Sequence, residues 1–155
     1  MLVASAGLST GTRYTRALLT ASMLVRPGRL VARRADAVAR SAFLRRFLFG
    51  KYYIADPLGP TDEAIRGFLA GHLLHTDLAS AWRVLRTDDP RERLGEIESP
   101  VLVLWGADDP QLPLDDAFEY TRRLRAKLRV IADCGHLLIG ERPDACADAI
   151  SSFVL

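Results

Sequence analysis

The sequence is poor in residues that cross-link or anchor small proteins. Its 155 residues include only two cysteines, Cys134 and Cys146, which excludes a disulfide scaffold and fits no metal-ligand spacing, so we expect two reduced core thiols. The longest apolar stretch near the start, Ala17 to Val25, is far shorter than the roughly 20 residues of a membrane span. No charge precedes the first apolar residues and no cleavage-like segment follows them. We therefore expect no signal peptide and a cytoplasmic protein.

Acidic residues are scarce in the first third of the chain. Residues 1–51 contain ten basic residues and one acid, a charge of +9, whereas residues 52–155 carry −7. An Arg-rich, acid-poor start resembles an organellar transit peptide, but arginine dominates lysine along the whole chain, so the preference is global. Docking of residues 12–51 onto an acidic partner or a membrane surface is an alternative that this charge leaves open.

The N-terminal two thirds of the chain are predicted to be mostly helical. A short buried strand, Met1 to Ala6, is followed by segments with helical spacing of apolar residues: Tyr14 to Val25, Leu30 to Phe49, Asp62 to Leu74 with Thr61 before it, Asp77 to Arg86, and turns from Arg91 to Ile97. In the second segment Phe43 and Phe47 belong to the apolar face. Its five arginines, Arg45 among them, are predicted to lie mostly on the opposite side.

The character of the sequence changes at Pro100. Residues Val101 to Trp105 form a continuous apolar run, which is typical of a strand buried on both faces of a parallel sheet. A helix is predicted from Leu114 to Lys127, a second strand from Leu128 to Ala132, and a final helix begins near Pro143. Strand, helix, strand and helix in this order predict an α/β fold with parallel strands.

Two loops that follow these strands carry groups that take part in catalysis in many enzymes. Asp109 follows the first strand, with Asp108 as the alternative carboxylate, and His136 follows the second. Because ligands bind at the carboxyl ends of parallel strands, adjacent strands would place a carboxylate and an imidazole together. Such an Asp orients a His that acts as a base. The simpler alternatives are a turn-forming Asp and a packed His.

The C-terminal third resembles the end of an α/β-hydrolase. In that family a Gly-x-x-Asp-x-x-x-Pro loop carries the triad acid, and a Gly-His-x-x-x-x-Glu-x-Pro run carries the triad His. The matching residues are Gly106, Asp109 and Pro113, then Gly135, His136, Glu141 and Pro143, with Phe153 ending the last helix. The resemblance implies a partial α/β-hydrolase fold with about three parallel strands, flanking helices and a helical cap. Residues 1–11 and 98–155 would then belong to the hydrolase core and residues 12–97 to the cap.

The same resemblance implies a hydrolase in which Asp109 orients His136 as general base. The bond cleaved would be an ester, C–C, epoxide or similar bond in a small apolar substrate, and no metal or organic cofactor is implied. Tyr52, Tyr53 and Trp82 would either line an apolar roof or belong to the core.

Three further patterns do not indicate a metal, phosphate or nucleic-acid site. His72 and His75 share a helix face without an evident third metal ligand. No Gly-rich phosphate loop occurs, because acids follow Gly106. The arginine-rich helix lacks the interleaved aromatics of nucleic-acid surfaces, so we expect no nucleic-acid partner.

A nucleophile is the missing part of this assignment. The pentapeptide from Gly7 to Gly11 matches the G-x-S-x-G elbow, which makes Ser9 a candidate, and the order Ser9, Asp109, His136 fits the family. However, no buried strand follows within some 25 residues, and no earlier loop completes an oxyanion hole. We therefore predict that the nucleophile is absent from this chain. The alternative function is an inactive fragment or binding module, with self-association or a missing N-terminal half as partner.

Overall fold

The structure is a computed structural model that describes residues 1–9, 20–21, 27–50, 53–74 and 77–155. Most of the predicted helix from Tyr14 to Val25 lies outside these residues. The same is true of Tyr52, of His75, and of the second half of the Gly7 to Gly11 pentapeptide.

Three parallel strands form the sheet of the described residues. They are β1 (Leu2–Val3), β2 (Leu102–Gly106) and β3 (Lys127–Ile131), in the order β1-β2-β3. Leu2 pairs with Val103, and Leu102 pairs with Lys127. The predicted α/β class with about three parallel strands and flanking helices is confirmed. Strand β1 is shorter than predicted because the backbone turns at Ala4, which has a φ of 40°.

Eight helices connect and flank these strands within the described residues. They are α1 (Pro27–Ala32), α2 (Ala35–Arg40), α3 (Ala42–Leu48), α4 (Asp62–Leu74), α5 (Leu78–Thr87), α6 (Leu114–Leu124), α7 (Leu138–Glu141) and α8 (Pro143–Val154). Two 3₁₀ turns, Pro90–Glu92 and Leu94–Glu96, lead into the C-terminal part. None of the helices in these ranges is long and apolar enough to cross a membrane.

Strand β2 is the centre of the core because helices cover both of its faces. All five of its residues are buried. Leu102 and Leu104 pack with residues of α8, whereas Val103 and Trp105 pack with residues of α6. The continuous apolar run in the sequence follows directly from this two-sided burial.

The helices between β1 and β2 have a core of their own. Its buried residues come from α1, α2, α4 and the segment between α3 and α4: they include Ala32, Val38, Phe49, Ile54, Ile65 and Leu69. Helix α4 begins as predicted, since the Thr61 hydroxyl accepts a hydrogen bond from the Ala64 N–H at 3.1 Å.

The predicted single helix from Leu30 to Phe49 is wrong, because the segment forms three short helices. The chain turns at Arg33 and Arg34, and Ser41 starts α3 by accepting a hydrogen bond from the Leu44 N–H at 3.3 Å. This second start changes the phase of α3 relative to α2. Phe43 and Phe47 are consequently 75% and 69% exposed, with their rings stacked 6.3 Å apart.

Four of the five arginines are exposed as predicted, and Arg45 is the exception. Instead of facing solvent it is buried, at 6% exposure. Its guanidinium donates to the Pro60 carbonyl and to the Asp62 carboxylate, both at 2.9 Å. The side chain therefore joins α3 to the start of α4, where a charge-assisted bond is stronger than a neutral one.

The C-terminal boundaries differ from the predictions by a few residues. Helix α6 ends at Leu124 because Arg125 adopts the left-handed conformation, with a φ of 49°. This turn lets Lys127 start β3, so the strand covers Lys127–Ile131 in place of Leu128 to Ala132.

Replacing Arg45 with alanine should lower the free energy of unfolding by about 1–3 kcal/mol, because the Pro60 carbonyl loses a buried donor and Asp62 loses its ion pair. Arg46→Ala, in the exposed neighbouring position, is the control and should change it by less than about 0.5 kcal/mol. Urea unfolding followed by circular dichroism measures both values. Equal losses in the two variants would show that the buried guanidinium does not hold α3 to α4.

Candidate active site

The site lies where β2 and β3 end side by side. The two loops that leave these strands are tied together by main-chain hydrogen bonds: the Ala107 N–H donates to the Ile131 carbonyl at 2.9 Å, and the Asp108 N–H donates to the Cys134 carbonyl at 3.0 Å. Parallel pairing of neighbouring strands thus brings both loops to one edge of the sheet.

Two glycines allow the backbones at this edge to approach one another closely. A Cβ on Gly106 would lie 2.2 Å from the Gly135 carbonyl oxygen. A Cβ on Gly135 would lie 2.7 Å from the Ala55 nitrogen and 2.8 Å from the Ile54 Cα. Only glycine fits at both positions without moving main-chain atoms.

The structure brings Asp109 and His136 into contact. The Asp109 Oδ2 atom lies 2.8 Å from the His136 Nδ1 atom, and the two side chains are 1% and 25% exposed. The other carboxylate oxygen of Asp109 accepts from the N–H groups of Gln111 and Leu112, at 2.8 and 3.0 Å. Asp108, the alternative carboxylate, is exposed. Because a carboxylate accepts, Nδ1 donates, and the lone pair of the imidazole is on Nε2.

The loop around His136 is held through its backbone. The His136 N–H donates to the Tyr53 carbonyl at 2.7 Å. The buried Glu141 carboxylate accepts from the N–H groups of Gly135 and Ala55 through Oε2, at 2.9 and 2.8 Å. Sequence reasoning included Glu141 in a motif but assigned it no role. Its position five residues after the His was the signal.

The Ser9 hydroxyl is hydrogen-bonded to a carboxylate of α6. Its hydroxyl donates to the Asp116 Oδ2 atom at 2.5 Å, and Asp116 is buried near the start of α6. A serine hydroxyl has one proton, so in this conformation that proton is not available to His136. The neighbouring Tyr120 hydroxyl donates to the Ala6 carbonyl at 3.2 Å. Burial, and then the Asp116 charge, raise the pKa of Tyr120.

Cys134 lies in the loop of residues 132–137 between β3 and α7, named the His loop, but is not a nucleophile. It is fully buried, and desolvation raises the pKa of its thiol to about 12. Because the thiolate is the reactive form, a buried neutral thiol is inert. The left-handed backbone of Asp133, with a φ of 49°, turns the chain just before it.

The remaining candidate side chains belong to the helices α1 to α5 and their connections, which lie between β1 and β2 and are named the helical segment. Tyr53 packs edge-on against Phe49 and Phe68, and burial raises the pKa of its hydroxyl. Trp82 is half-buried. His72 packs against Phe68, with ring centroids 5.4 Å apart. In the part of the chain that the structure describes, no three His, Cys, Asp or Glu side chains cluster as a metal site would require.

The parallel sheet and its flanking helices are those of a partial α/β-hydrolase fold. The model of the "Alpha/beta hydrolase family" matches residues 2–149 of the chain, and the chain belongs to this family. The resemblance drawn from the motifs is therefore confirmed at the level of the family and the fold.

Two curated relatives are hydrolases of unsaturated 2-hydroxy-6-oxo acids. The chain is 36% identical over 92 residues to a 2-hydroxy-6-oxo-6-phenylhexa-2,4-dienoate hydrolase of Burkholderia cepacia, covering 55% of this chain and 32% of that protein. It is 34% identical over 109 residues to a 2-hydroxy-6-oxononadienedioate/2-hydroxy-6-oxononatrienedioate hydrolase of Comamonas testosteroni, covering 66% and 36%.

A solved structure extends the comparison to nearly the whole chain. The 2-hydroxy-6-oxo-6-phenylhexa-2,4-dienoate hydrolase of Rhodococcus sp. strain RHA1 superposes with a TM-score of 0.58 at 19% identity, covering 96% of this chain and 51% of that one. At that identity the likeness shows the fold. The chain therefore spans about a third of the length of the two curated relatives and about half of the length of the Rhodococcus enzyme.

Gly135→Ala should lower the free energy of unfolding by about 1–3 kcal/mol, because the added Cβ meets main-chain atoms that cannot rotate away. Gly140→Ala, whose Cβ would lie 3.6 Å from Leu137 and 3.7 Å from Ala64, is the control and should be neutral or stabilising by up to about 1 kcal/mol. Urea titration of both variants tests this. Equal stability would contradict the tight approach at Gly135.

Both thiols should resist labelling in the folded chain. At pH 8 a thiol with the pKa of Cys134 is ionised in only about one molecule in ten thousand, and burial raises the pKa of Cys146 as well. A colorimetric disulfide reagent should therefore react slowly with the native chain and rapidly with two thiols in urea. Rapid reaction of Cys134 in the native chain, identified with Cys134→Ser, would refute its burial.

Proposed function

We propose that this chain supplies the base and its orienting acid to a hydrolase site, with His136 as general base and Asp109 as its partner. The observation that carries the proposal is the 2.8 Å contact between a carboxylate that is 1% exposed and an imidazole that is 25% exposed. A buried acid holds the ring, and the partial exposure leaves the ring accessible to a reactant.

The reaction follows from this geometry. The Nε2 atom takes the proton of a nucleophilic hydroxyl or water as its oxygen attacks a carbonyl carbon of the substrate. Asp109 stabilises the imidazolium that forms, and the same proton is then given to the leaving group. The curated relatives, both hydrolases of unsaturated 2-hydroxy-6-oxo acids, support such a compound as substrate and a C–C bond as the bond cleaved. An ester or epoxide is the alternative.

The helices between β1 and β2 support the presence of a cap over this site. We propose that residues 12–97 form a cap and that residues 1–11 and 98–155 belong to the hydrolase core. The described helices between β1 and β2 have their own apolar core. They meet the His loop at Tyr53, through the bond to the His136 N–H.

We propose further that the nucleophile comes from outside this chain. The Ser9 proton is bound to Asp116, and β1 pairs only with β2 among the described strands. An apolar cavity of about 560 Å³ lies beside β1, between Leu2, Leu85 and Leu124. Another core segment packed there would complete the sheet and could carry the nucleophile.

A second candidate function rests on the same Ser9 contact. If no further segment joins it, the chain is an inactive fragment or a binding module that retains the Asp–His pair. Self-association, the cytoplasmic location and the lack of a cofactor or a nucleic-acid partner stay predictions.

Turnover assays of the 155-residue chain test the proposal. We expect no hydrolysis of 2-hydroxy-6-oxo-6-phenylhexa-2,4-dienoate or a p-nitrophenyl ester by the chain alone, and hydrolysis when the N-terminal half of the Burkholderia relative, a hydrolase of that dienoate, is added. His136→Gln and Asp109→Asn should lower this rate by roughly 10²–10⁴-fold.

Asp108→Asn and Ser9→Ala are the matched controls and should retain the rate. Turnover by the chain alone that Ser9→Ala abolishes would make Ser9 the nucleophile. Turnover that survives His136→Gln would reject the assigned base. A folded mixture without turnover would favour the second candidate function.

A further inference from the structure

Residues 53–55 and the His loop are joined by main-chain atoms. Gly135 lies against the backbone of Ile54 and Ala55, with no room for a Cβ. The His136 N–H donates to the Tyr53 carbonyl. These residues are some 80 positions apart in the chain, so the junction is a tertiary contact between the helical segment and the loop that carries the imidazole.

Glu141 completes this junction. It is 8% exposed, and its two carboxylate oxygens accept three N–H groups: those of Gly135 and Ala55 on Oε2, and that of Leu137 on Oε1 at 3.2 Å. Together with the Tyr53 carbonyl, it satisfies the three consecutive N–H groups from Gly135 to Leu137. The backbone on both sides of His136 is thereby fixed by one side chain.

We propose that Glu141 is the positioning residue of the site. It acts through His136: by holding Gly135 and Leu137 it sets the direction from which the imidazole meets Asp109, and by holding Ala55 it links that direction to the helical segment. This inference rests on the proposed function for its meaning in catalysis, but the geometry it asserts exists without turnover.

A carboxylate is the side chain that this role needs. Three donors converge on it, and ionised acceptors give shorter and stronger bonds to N–H groups than neutral ones do. Glutamine has one acceptor oxygen, so its amide group would set a donor against one of the three N–H groups. Alanine would leave all three without this acceptor, in a region closed to solvent.

The test is the Nδ1 proton of His136 in the full chain labelled with ¹⁵N-histidine. Hydrogen bonding to Asp109 should make this proton a slowly exchanging NMR signal, assigned by its loss in His136→Gln. In Glu141→Ala the signal should vanish or exchange faster by about tenfold or more. In Glu141→Gln, which keeps one acceptor oxygen, the change should be smaller.

Two controls separate positioning from general destabilisation. Glu119→Gln removes a carboxylate that is bonded only to Arg122 and Arg123 in the described contacts, and Arg45→Ala weakens the fold away from the His loop. Both should keep the wild-type exchange rate. Folding of every variant is checked by circular dichroism, and Glu141→Gln decides the outcome if Glu141→Ala does not fold.

An unchanged Nδ1 exchange rate in a folded Glu141 variant would overturn the inference. So would equal acceleration in Arg45→Ala, because the effect would then follow stability alone. Loss of the signal in the Glu141 variants, with no hydrolysis in the assays above, would uphold the inference and reject the proposed function. Hydrolysis that depends on His136, with no effect of the Glu141 variants on the Nδ1 signal, would uphold the proposed function and overturn the inference.

Discussion

The parallel pairing of β2 with β3 is the contact on which the rest of the site depends. It sets the two loops side by side, and glycine at positions 106 and 135 lets their backbones come close enough for Asp109 to reach His136. The burial of β2 between α6 and α8 makes this pairing rigid. The site therefore lies at the end of the most buried part of the molecule, although the His136 side chain is 25% exposed.

The helical segment is built on a different kind of contact. Its interior is apolar and aromatic, and Arg45 ties α3 to α4 by polar bonds. Its link to the sheet at the site is made by main-chain groups, by Glu141 and by Leu137, which packs against that apolar interior. The two parts of the protein thus meet next to the imidazole in a seam of main-chain groups, one carboxylate and one apolar side chain.

The sequence predicts well whatever depends on local pattern. The apolar run of β2 and the motifs around Asp109 and His136 are local, and the contact between those two residues follows from strand adjacency. The orientation of Arg45 and Phe43 could not be predicted, because it depends on a helix start at Ser41 that shifts the phase of α3. The bond between Glu141 and Ala55 joins residues 86 positions apart, and no local pattern encodes such a pairing.

The main-chain character of the seam has an evolutionary consequence. The Tyr53 carbonyl is present whatever side chain position 53 carries, and the N–H of position 55 is present in every residue but proline. Side chains of the helical segment can therefore be exchanged by mutation while the imidazole stays in place. A seam of this kind lets selection vary that segment independently of the loop that carries His136.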